Sequence, residues 1–175
     1  MEYGYLGQKD KMPPICPKDK EGRIKELVIE KLSEGELMYL STISPEGWPI
    51  TDCMHYAVVK GEKSRPVIYL FTHDHVRKLD NIANDSRVSV SVCHAVSYEK
   101  RNETWAFQFM CTAGAVTDQA ETALAIKATR EKKGYEFAAN LPLEKQPCIK
   151  VEPVFGVWTC GLGDPKICSI DYLAD

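Results

Sequence analysis

Apolar residues recur along this chain mostly with the two-residue period of β-strands. Valines alternate with serines over residues 88–92, which leaves one face of that segment apolar and the other polar. A β-branched and aromatic run over residues 67–72 is typical of a buried strand. The period becomes helical over residues 19–34, and Gly35 follows as a stop signal. The pattern therefore predicts a mainly β protein with a few amphipathic helices.

The rest of the chain divides into short elements of the same kinds. A capping box that begins at Asp118 starts a helix closed by Gly134, and residues 135–147 are predicted to form a short helical turn and connector. Gly114 marks a bend in a long strand. Strands are predicted over residues 37–43, 49–59, 67–72, 88–92, 105–116, 148–160 and 166–170. Six or seven short strands, mostly linked as hairpins, with three peripheral helices favour a small antiparallel barrel.

One predicted β-α-β crossover interrupts the hairpins and is a candidate ligand site. Thr72 ends its first strand, Asp74 is a candidate N-cap for its helix, and Arg77 and Lys78 stand together near the helix start. A hydroxyl, free backbone N–H groups and two cations suit a phosphate group. A solvated cation pair on an ordinary connector fits the same residues, so both interpretations stay open at this point.

Composition limits the function classes without choosing among them. The 175 residues favour a single domain over residues 1–175, with residues 1–17 as an extended, Pro-containing arm. The net charge is -3 and basic residues are scattered, which argues against a nucleic-acid partner. No apolar run approaches the length of a membrane span. Seven cysteines without a C-x-x-C pair favour free thiols in a reducing, cytoplasmic setting.

Three blocks of sequence resemble the FMN-binding split barrels related to pyridoxamine 5′-phosphate oxidase. The hairpin LMYLSTISPEGWPITDCMHYAVV, residues 37–59, is similar to the family's L-A-T-x-x-x-x-G-x-P opening. FT at 71–72, RK at 77–78 and NDSRVS at 84–89 resemble its strand-end Thr, its S-R-K phosphate clamp and its N-P-R-V-S return strand. VEP and VW within residues 151–158 are like its last barrel strand.

The resemblance implies a split β-barrel that binds FMN in a groove between the two chains of a homodimer. Thr72, Arg77 and Lys78 would hold the FMN phosphate, and Phe71 would pack near the flavin ring or ribityl chain. Residues 51–54 would present backbone groups to the edge of the isoalloxazine. The full set of candidate cofactor residues is Thr51, Asp52, Cys53, Met54, Phe71, Thr72, Arg77, Lys78, Gln108 and Trp158.

Several positions depart from the oxidases of this family. Val76 replaces the Ser before Arg-Lys, Asp52 stands where an Arg approaches the flavin, and Ala57 replaces a Lys. Residues 164–166, Asp-Pro-Lys, stand where the oxidases carry an Arg-x-His pair that grips the pyridoxal substrate. Most of the residues expected to bind the cofactor are present, and the residues that bind the pyridoxal substrate are missing. Oxidation of pyridoxamine 5′-phosphate is therefore not expected.

Three histidines lie close to the candidate site in the sequence. His73 follows the strand-end Thr and is the candidate to donate a proton to substrate, while a surface loop histidine is the simpler interpretation. The spacing of His55 and His75 along the sequence does not assign a carboxylate or a thiol as a further metal ligand. No metal site is therefore predicted. Cys53 is either a redox thiol or a small buried residue, and Asp52 either contacts a ligand or is a solvated strand residue.

Three functional hypotheses follow from these observations. The first is an FMN-dependent oxidoreductase of an unidentified small molecule, in which flavin N5 accepts a hydride and passes electrons to an acceptor. The second is a non-catalytic flavin-binding or stress-related module. The third is a relative that binds haem or a deazaflavin in the same groove.

Overall fold

The structure, a computed structural model, contains three helices and eight strands within the part of the chain that it describes. It describes residues 13–94, 99, 103–160 and 167–174, with the backbone alone at 159, 160 and 167. Most of the predicted arm, most of the loop at 97–103 and residues 161–166 lie outside that part. The helices are α1 (Lys18–Glu34), α2 (Arg77–Asn84) and α3 (Gln119–Glu131). The strands are β1 (Leu37–Ile43), β2 (Pro49–His55), β3 (Ala57–Lys60), β4 (Pro66–Phe71), β5 (Arg87–His94), β6 (Trp105–Ala115), β7 (Cys148–Cys160) and β8 (Ile167–Asp171), and short 3₁₀ turns occupy Glu62–Ser64, Glu136–Asn140 and Leu143–Lys145.

The eight strands form one antiparallel sheet that curls on itself. Its order is β2-β1-β5-β6-β7-β4-β3, and β8 pairs with β7 off that path. Strands β2 and β3 follow each other along the chain but lie at opposite edges, and β2 also approaches β4. The curl therefore leaves a split between β2 and β4. The predicted fold class, a mainly β antiparallel split barrel with peripheral helices, is confirmed.

The prediction of one strand over residues 49–59 is wrong, because the chain breaks at Tyr56. The buried Tyr56 hydroxyl donates to the Leu32 carbonyl at 2.7 Å, and the Tyr56 N–H donates to the Tyr135 hydroxyl at 3.1 Å. A Cβ at Gly35 would lie 2.6 Å from the Tyr56 hydroxyl, so this close approach requires glycine. The break makes two strands of one, which raises the strand count above the predicted six or seven.

The predicted crossover is present as β4-α2-β5, although β7 and β6 separate its two strands in the sheet. Helix α2 begins at Arg77 after Val76, whose side chain makes no capping bond, so the predicted cap at Asp74 is wrong. Asn81 attaches the helix to β1, because its Nδ2 donates to the buried Thr42 hydroxyl at 2.9 Å. This bond fixes the helix that carries the two candidate cations.

Helix α3 and strand β6 are present as predicted, but the end of the helix and the irregularity in the strand lie at other residues than predicted. Asp118 caps α3 by accepting the N–H of the third helical residue at 2.8 Å, as the capping box predicted. The helix ends before the predicted Gly134, at Glu131. In β6 the irregularity lies between Met110 and Cys111, where the register with β7 shifts, and not at the predicted Gly114.

The apolar core fills the inside of the curl and is closed on one side by α1. Ile24, Val28 and Leu32 lie on one face of that helix and are buried, as its periodicity predicted. Inside the sheet, the rings of Phe107 and Trp158 pack with their centroids 4.8 Å apart. None of the described helices has the length and apolar character needed to cross a membrane.

Candidate functional site

A cavity of about 390 Å³ opens at the split between β2 and β4. Part of its wall comes from the end of β2, part from the end of β4 and the loop after it, and part from the segment that follows α3. Its volume lies within the range of small-molecule sites in proteins. The lining residues are Cys53, Met54, His55, Tyr56, Tyr69, Leu70, Phe71, Thr72, His73, Val76, Lys78, Thr129, Tyr135, Phe137, Ala138, Leu141, Leu143 and Gln146.

Strand β2 reaches this cavity as an edge strand. It pairs with β1 along its whole length and ends the path of the sheet, so its other side leaves alternate backbone groups without a strand partner. Cys53 and His55 are exposed, and Met54 is half-buried between them. Thr51 lies on the same exposed face of β2 as Cys53, and its hydroxyl shares a hydrogen bond with the Ser41 hydroxyl at 2.8 Å. The geometry suits a ligand that uses backbone groups of β2.

One end of the cavity gathers a cation, a hydroxyl and the start of a helix. The Lys78 side chain is only 10% exposed, and Thr72, which lines the same cavity, is buried. Val76, the N-cap of α2, also lines the cavity and caps no backbone N–H with its side chain. Backbone N–H groups in the first turn of a helix commonly lack intrahelical partners and favour anions, although in α2 the Leu79 N–H donates to the Val76 carbonyl at 3.0 Å. This end of the cavity therefore has the chemistry of an anion seat.

Asp52 pairs with Lys78 although it does not line the cavity. The Lys78 ammonium lies 3.6 Å from the Asp52 carboxylate, whose side chain is 33% exposed. Asp52 belongs to the inward-facing residues of β2, where its neighbours on that face are Ile50 and Met54. A carboxylate among apolar neighbours needs a counter-charge, and Lys78 provides one.

Arg77 lies elsewhere. Its side chain is exposed and borders a second groove, of about 370 Å³, between the β1–β2 hairpin and α2. Trp48 at the hairpin is 70% exposed and lines the same groove, together with Asp80 from the helix. The two cations that are adjacent in the sequence thus border different cavities.

Aromatic rings form another part of the lining of the main cavity. The His55 ring lies 5.2 Å from the ring of Tyr135 and 4.9 Å from that of Phe137, measured between centroids. Tyr135 is buried, which raises its pKa to about 12, and Phe137 is 45% exposed at the cavity mouth. The sequence predicted a short helical turn and connector over residues 135–147 and no part of a site there. Tyr135 and Phe137, the two aromatic residues that follow Gly134, are the sequence feature that could have predicted this wall.

A polar network braces the cavity from behind. The Tyr69 hydroxyl donates to the Glu121 carboxylate at 2.8 Å, and the Lys150 ammonium lies 2.8 Å from the same carboxylate. Burial and the bond to Glu121 raise the pKa of Tyr69 above its usual range. The bonds from Lys150 and Tyr69 lower the pKa of Glu121, so the carboxylate stays ionised. The network attaches α3 to β4 and β7 and keeps this wall in place.

Besides Thr51, Asp52 and Arg77, two further candidate cofactor residues do not line the cavity of their own chain. Gln108 is exposed on β6, and Trp158 is 1% exposed in the core, where its Nε1 has no hydrogen-bond partner. Strand registers place Cys53, Tyr39, Ser91 and Gln108 opposite one another in a single row on the outer face. Cys53 and Gln108 thus share a face, and the cofactor roles assigned from the sequence stay predictions.

The histidines gather no metal-binding set. His55 and His73 both line the cavity, and His73 is exposed, as is His75. Within the described residues, no group of three or more His, Cys, Asp and Glu side chains could hold a metal ion. The role of His73 as a proton donor stays a prediction.

Comparison with known families places this geometry in context. The sequence matches the family described as pyridoxamine 5′-phosphate oxidase over residues 24–155, which is well over half of the chain. The chain belongs to this family. The match spans α1 to β7 and therefore includes both walls of the split. No curated protein sequence matches the chain.

Solved structures similar to this member of the family share its fold at low sequence identity. A haem-binding protein from Mycobacterium smegmatis is 17% identical, with a TM-score of 0.63, 90% of this chain covered and 59% of that one. A protein related to general stress protein 26, from Clostridium acetobutylicum, is 12% identical, with a TM-score of 0.59 and coverages of 86% and 96%. A NimC/NimA family protein from the same organism is 12% identical, with a TM-score of 0.60 and coverages of 86% and 95%. At these identities the likeness shows the fold alone.

Proposed function

We propose that this chain binds FMN in the cavity between β2 and β4 and acts as an FMN-dependent oxidoreductase on a small molecule. The observation that carries the proposal is one cavity that is lined both by the residues of an anion seat and by aromatic rings. Lys78 and Thr72 belong to the anion seat, and Tyr135 and Phe137 are the aromatic rings. FMN has a phosphate and a planar ring system at its two ends, so its chemistry matches this arrangement.

The residues present suit FMN in three respects. Lys78 supplies a nearly buried cation to a phosphate, and the first turn of α2 supplies N–H donors. Phe71 and the aromatic wall supply apolar surface to an isoalloxazine ring. The free edge of β2 supplies donors and acceptors for the polar rim of that ring. Bound FMN would supply the redox chemistry, and the chain would bind, orient and shield it.

Arg77 takes a smaller part in this proposal than the sequence predicted. Its side chain borders the hairpin groove, so it acts on a phosphate in the main cavity only through its charge at a distance. Such exposed charges are screened by salt and contribute little. The phosphate seat proposed here consists of Lys78, Thr72 and the first turn of α2.

A homodimer is part of the proposal. The row of Cys53, Tyr39, Ser91 and Gln108 runs across four strands on the outer face, and Tyr39 at its centre is 50% exposed. Exposed tyrosines are enriched at protein interfaces, and a second chain on this face would bring Gln108 of one protomer towards the other protomer's β2. Tyr39→Glu should convert the dimer to a monomer in light scattering, and a dimer that persists would place the interface elsewhere.

The cytoplasm is the proposed location. All six cysteines whose side chains are described are free thiols, as the sequence predicted. Free thiols are the usual state in a reducing compartment. The name of one structural neighbour refers to a general stress protein. A stress-related role for this chain would rest on that likeness of fold alone, because no residue of the site points to it.

Haem is the second candidate ligand, because two histidines border the cavity. His55 and His73 both line it, and histidine is the commonest axial ligand of haem iron in globins and peroxidases. One structural neighbour is described as a haem-binding protein. The free strand edge favours FMN, because it offers donors and acceptors to the polar rim of a flavin, whereas the anion seat suits a phosphate and the propionates of haem alike. A deazaflavin would use the same ring wall.

Parallel titrations test this proposal. FMN, riboflavin and haem are each added to the purified protein, and the flavin fluorescence or the haem absorbance is followed. We expect saturable binding of FMN, with riboflavin about tenfold or more weaker because it lacks the phosphate. Haem binding with no affinity for FMN would overturn the proposal in favour of the second candidate. Equal affinity for FMN and riboflavin would show that the anion seat does not bind the phosphate.

A further inference from the structure

The pair of Asp52 and Lys78 is unusual for an anion seat, because the cation already has a counter-ion. The two charged groups are 3.6 Å apart, and the Lys78 side chain is only 10% exposed. Lys78 lines the cavity, whereas Asp52, on the inward face of β2, is not among the lining residues. Lys78 therefore lines the cavity while its ammonium is already paired with a carboxylate of the protein.

A carboxylate in this position acts on any anion that reaches Lys78. A phosphate group that binds there brings a second negative charge close to Asp52, and like charges in a poorly solvated site repel. The phosphate must share the ammonium with Asp52 or displace it. A neutral ligand with the same ring pays no such cost. The carboxylate thus subtracts from the affinity for anionic ligands alone.

We infer that Asp52 is a specificity-determining residue that sets how strongly the cavity prefers a phosphorylated flavin over the same flavin without its phosphate. This inference rests on the proposed FMN-binding function and deepens it. The carboxylate balances the charge of Lys78 when no ligand is bound, and it weakens the binding of a phosphate. The cavity is thereby tuned to hold FMN less tightly than Lys78 alone would allow.

A different explanation is that Asp52 serves the fold. Inward-pointing charges on edge strands discourage pairing with other chains, and β2 is an edge strand. In that case Asp52 would hold Lys78 in position, and removal of its charge would leave phosphate affinity unchanged or lower it. The two explanations therefore predict different results for the same substitution, since only the first predicts a gain in phosphate affinity.

The test compares the affinities of FMN and riboflavin in the full-length protein and in Asp52→Asn. The amide has nearly the same size as the carboxylate and removes only the charge. We expect the dissociation constant of FMN to fall by roughly fivefold or more, as for typical coupling between two sites, while that of riboflavin changes by less than about twofold. The ratio of the two constants is the readout, and it requires no turnover.

Asp80→Asn is the matched control. Asp80 lies on α2 with Lys78 but is exposed and borders the hairpin groove. The substitution removes the same charge from the helix that carries Lys78, but Asp80 does not line the cavity. The ratio of the FMN and riboflavin dissociation constants should therefore stay within about twofold of that of the unsubstituted protein. An equal gain in Asp80→Asn would mean that net charge alone sets the preference and would overturn the inference.

The remaining outcomes are equally decisive. Unchanged or weaker FMN binding by Asp52→Asn overturns the inference and leaves the proposed function intact, provided that the unsubstituted protein binds FMN. An unsubstituted protein that binds neither flavin overturns both. Circular dichroism establishes that the variant is folded, and Asp52→Ser, which removes the charge with a smaller polar side chain, provides the same comparison where Asn is not tolerated.

Discussion

Arg77 and Lys78 are neighbours in the sequence and have the same charge, but the fold gives them different surroundings. Lys78 is nearly buried, pairs with Asp52 and borders the cavity between β2 and β4. Arg77 is exposed and borders the groove beside Trp48 at the β1–β2 hairpin. Consecutive residues of an α-helix point about 100° apart, so two adjacent side chains seldom serve one small site. The comparison shows that a two-residue motif is a weaker guide to a site than the face on which each residue lies.

The groove and the cavity also differ in what surrounds them. The cavity has aromatic walls and a polar network behind Tyr69, so its shape is held from several sides. The groove lies between a hairpin tip and one helix, and its largest side chain, Trp48, is 70% exposed. A ligand held in the cavity would be shielded from water on more sides. This difference is the reason for placing the cofactor there.

Lys78→Met should have the largest effect on ligand binding. Methionine keeps the length of the side chain and removes the charge, so the affinity for FMN should fall about tenfold or more while that for riboflavin changes little. Titration of both flavins gives the two constants. An equal loss for FMN and riboflavin would mean that Lys78 supports the ring site and not the phosphate.

Asn81→Ala should weaken the attachment of α2 to the sheet. The substitution leaves the buried Thr42 hydroxyl without its donor, which should lower the free energy of unfolding by about 1–3 kcal/mol. Urea denaturation followed by circular dichroism measures this change. Asn84→Ala, at the exposed end of the same helix, is the control and should cost less than about 0.5 kcal/mol. Similar losses in both variants would mean that the bond does not anchor the helix.

Phe137→Ala should separate the ring end of the cavity from the phosphate end. Phe137 is exposed at the cavity mouth and close to His55, so its loss should weaken FMN and riboflavin alike, by about two- to tenfold. The same titrations detect this as a parallel shift of both constants. If only FMN is affected, the orientation of the flavin proposed here is reversed.

Arg77→Met should have the smallest effect of the four. Because the side chain borders the groove, the affinity for FMN should fall by no more than about threefold, and the loss should disappear at high salt. Titration at low and high ionic strength distinguishes this from a direct contact. A loss as large as that of Lys78→Met, independent of salt, would restore Arg77 to the phosphate seat.

Much of the fold could be predicted from the sequence because local patterns determine it. The alternation of valine and serine in β5 and the capping box of α3 are both satisfied in the structure. The break at Tyr56 could not be predicted, because it depends on bonds to Leu32 and Tyr135, which are distant in the sequence. Local strand propensity on both sides of Tyr56 conceals that tertiary effect.

The candidate site was predictable in part for the same reason. Thr72 and Lys78 stand in one short segment whose residue types indicate a phosphate seat, and both border the cavity. The pairing of Asp52 with Lys78 and the wall formed by Phe137 bring together residues from separate parts of the chain. Such contacts arise only when the sheet curls, and no spacing in the sequence records them.

The most direct test of the account is the visible absorbance spectrum of the freshly purified protein, followed by denaturation and identification of any released chromophore. If the chain binds FMN, the protein as purified or after addition of FMN shows the two-banded spectrum of an oxidised flavin, and denaturation releases intact FMN. A haem spectrum, or a colourless protein that also fails to bind added FMN, would contradict it.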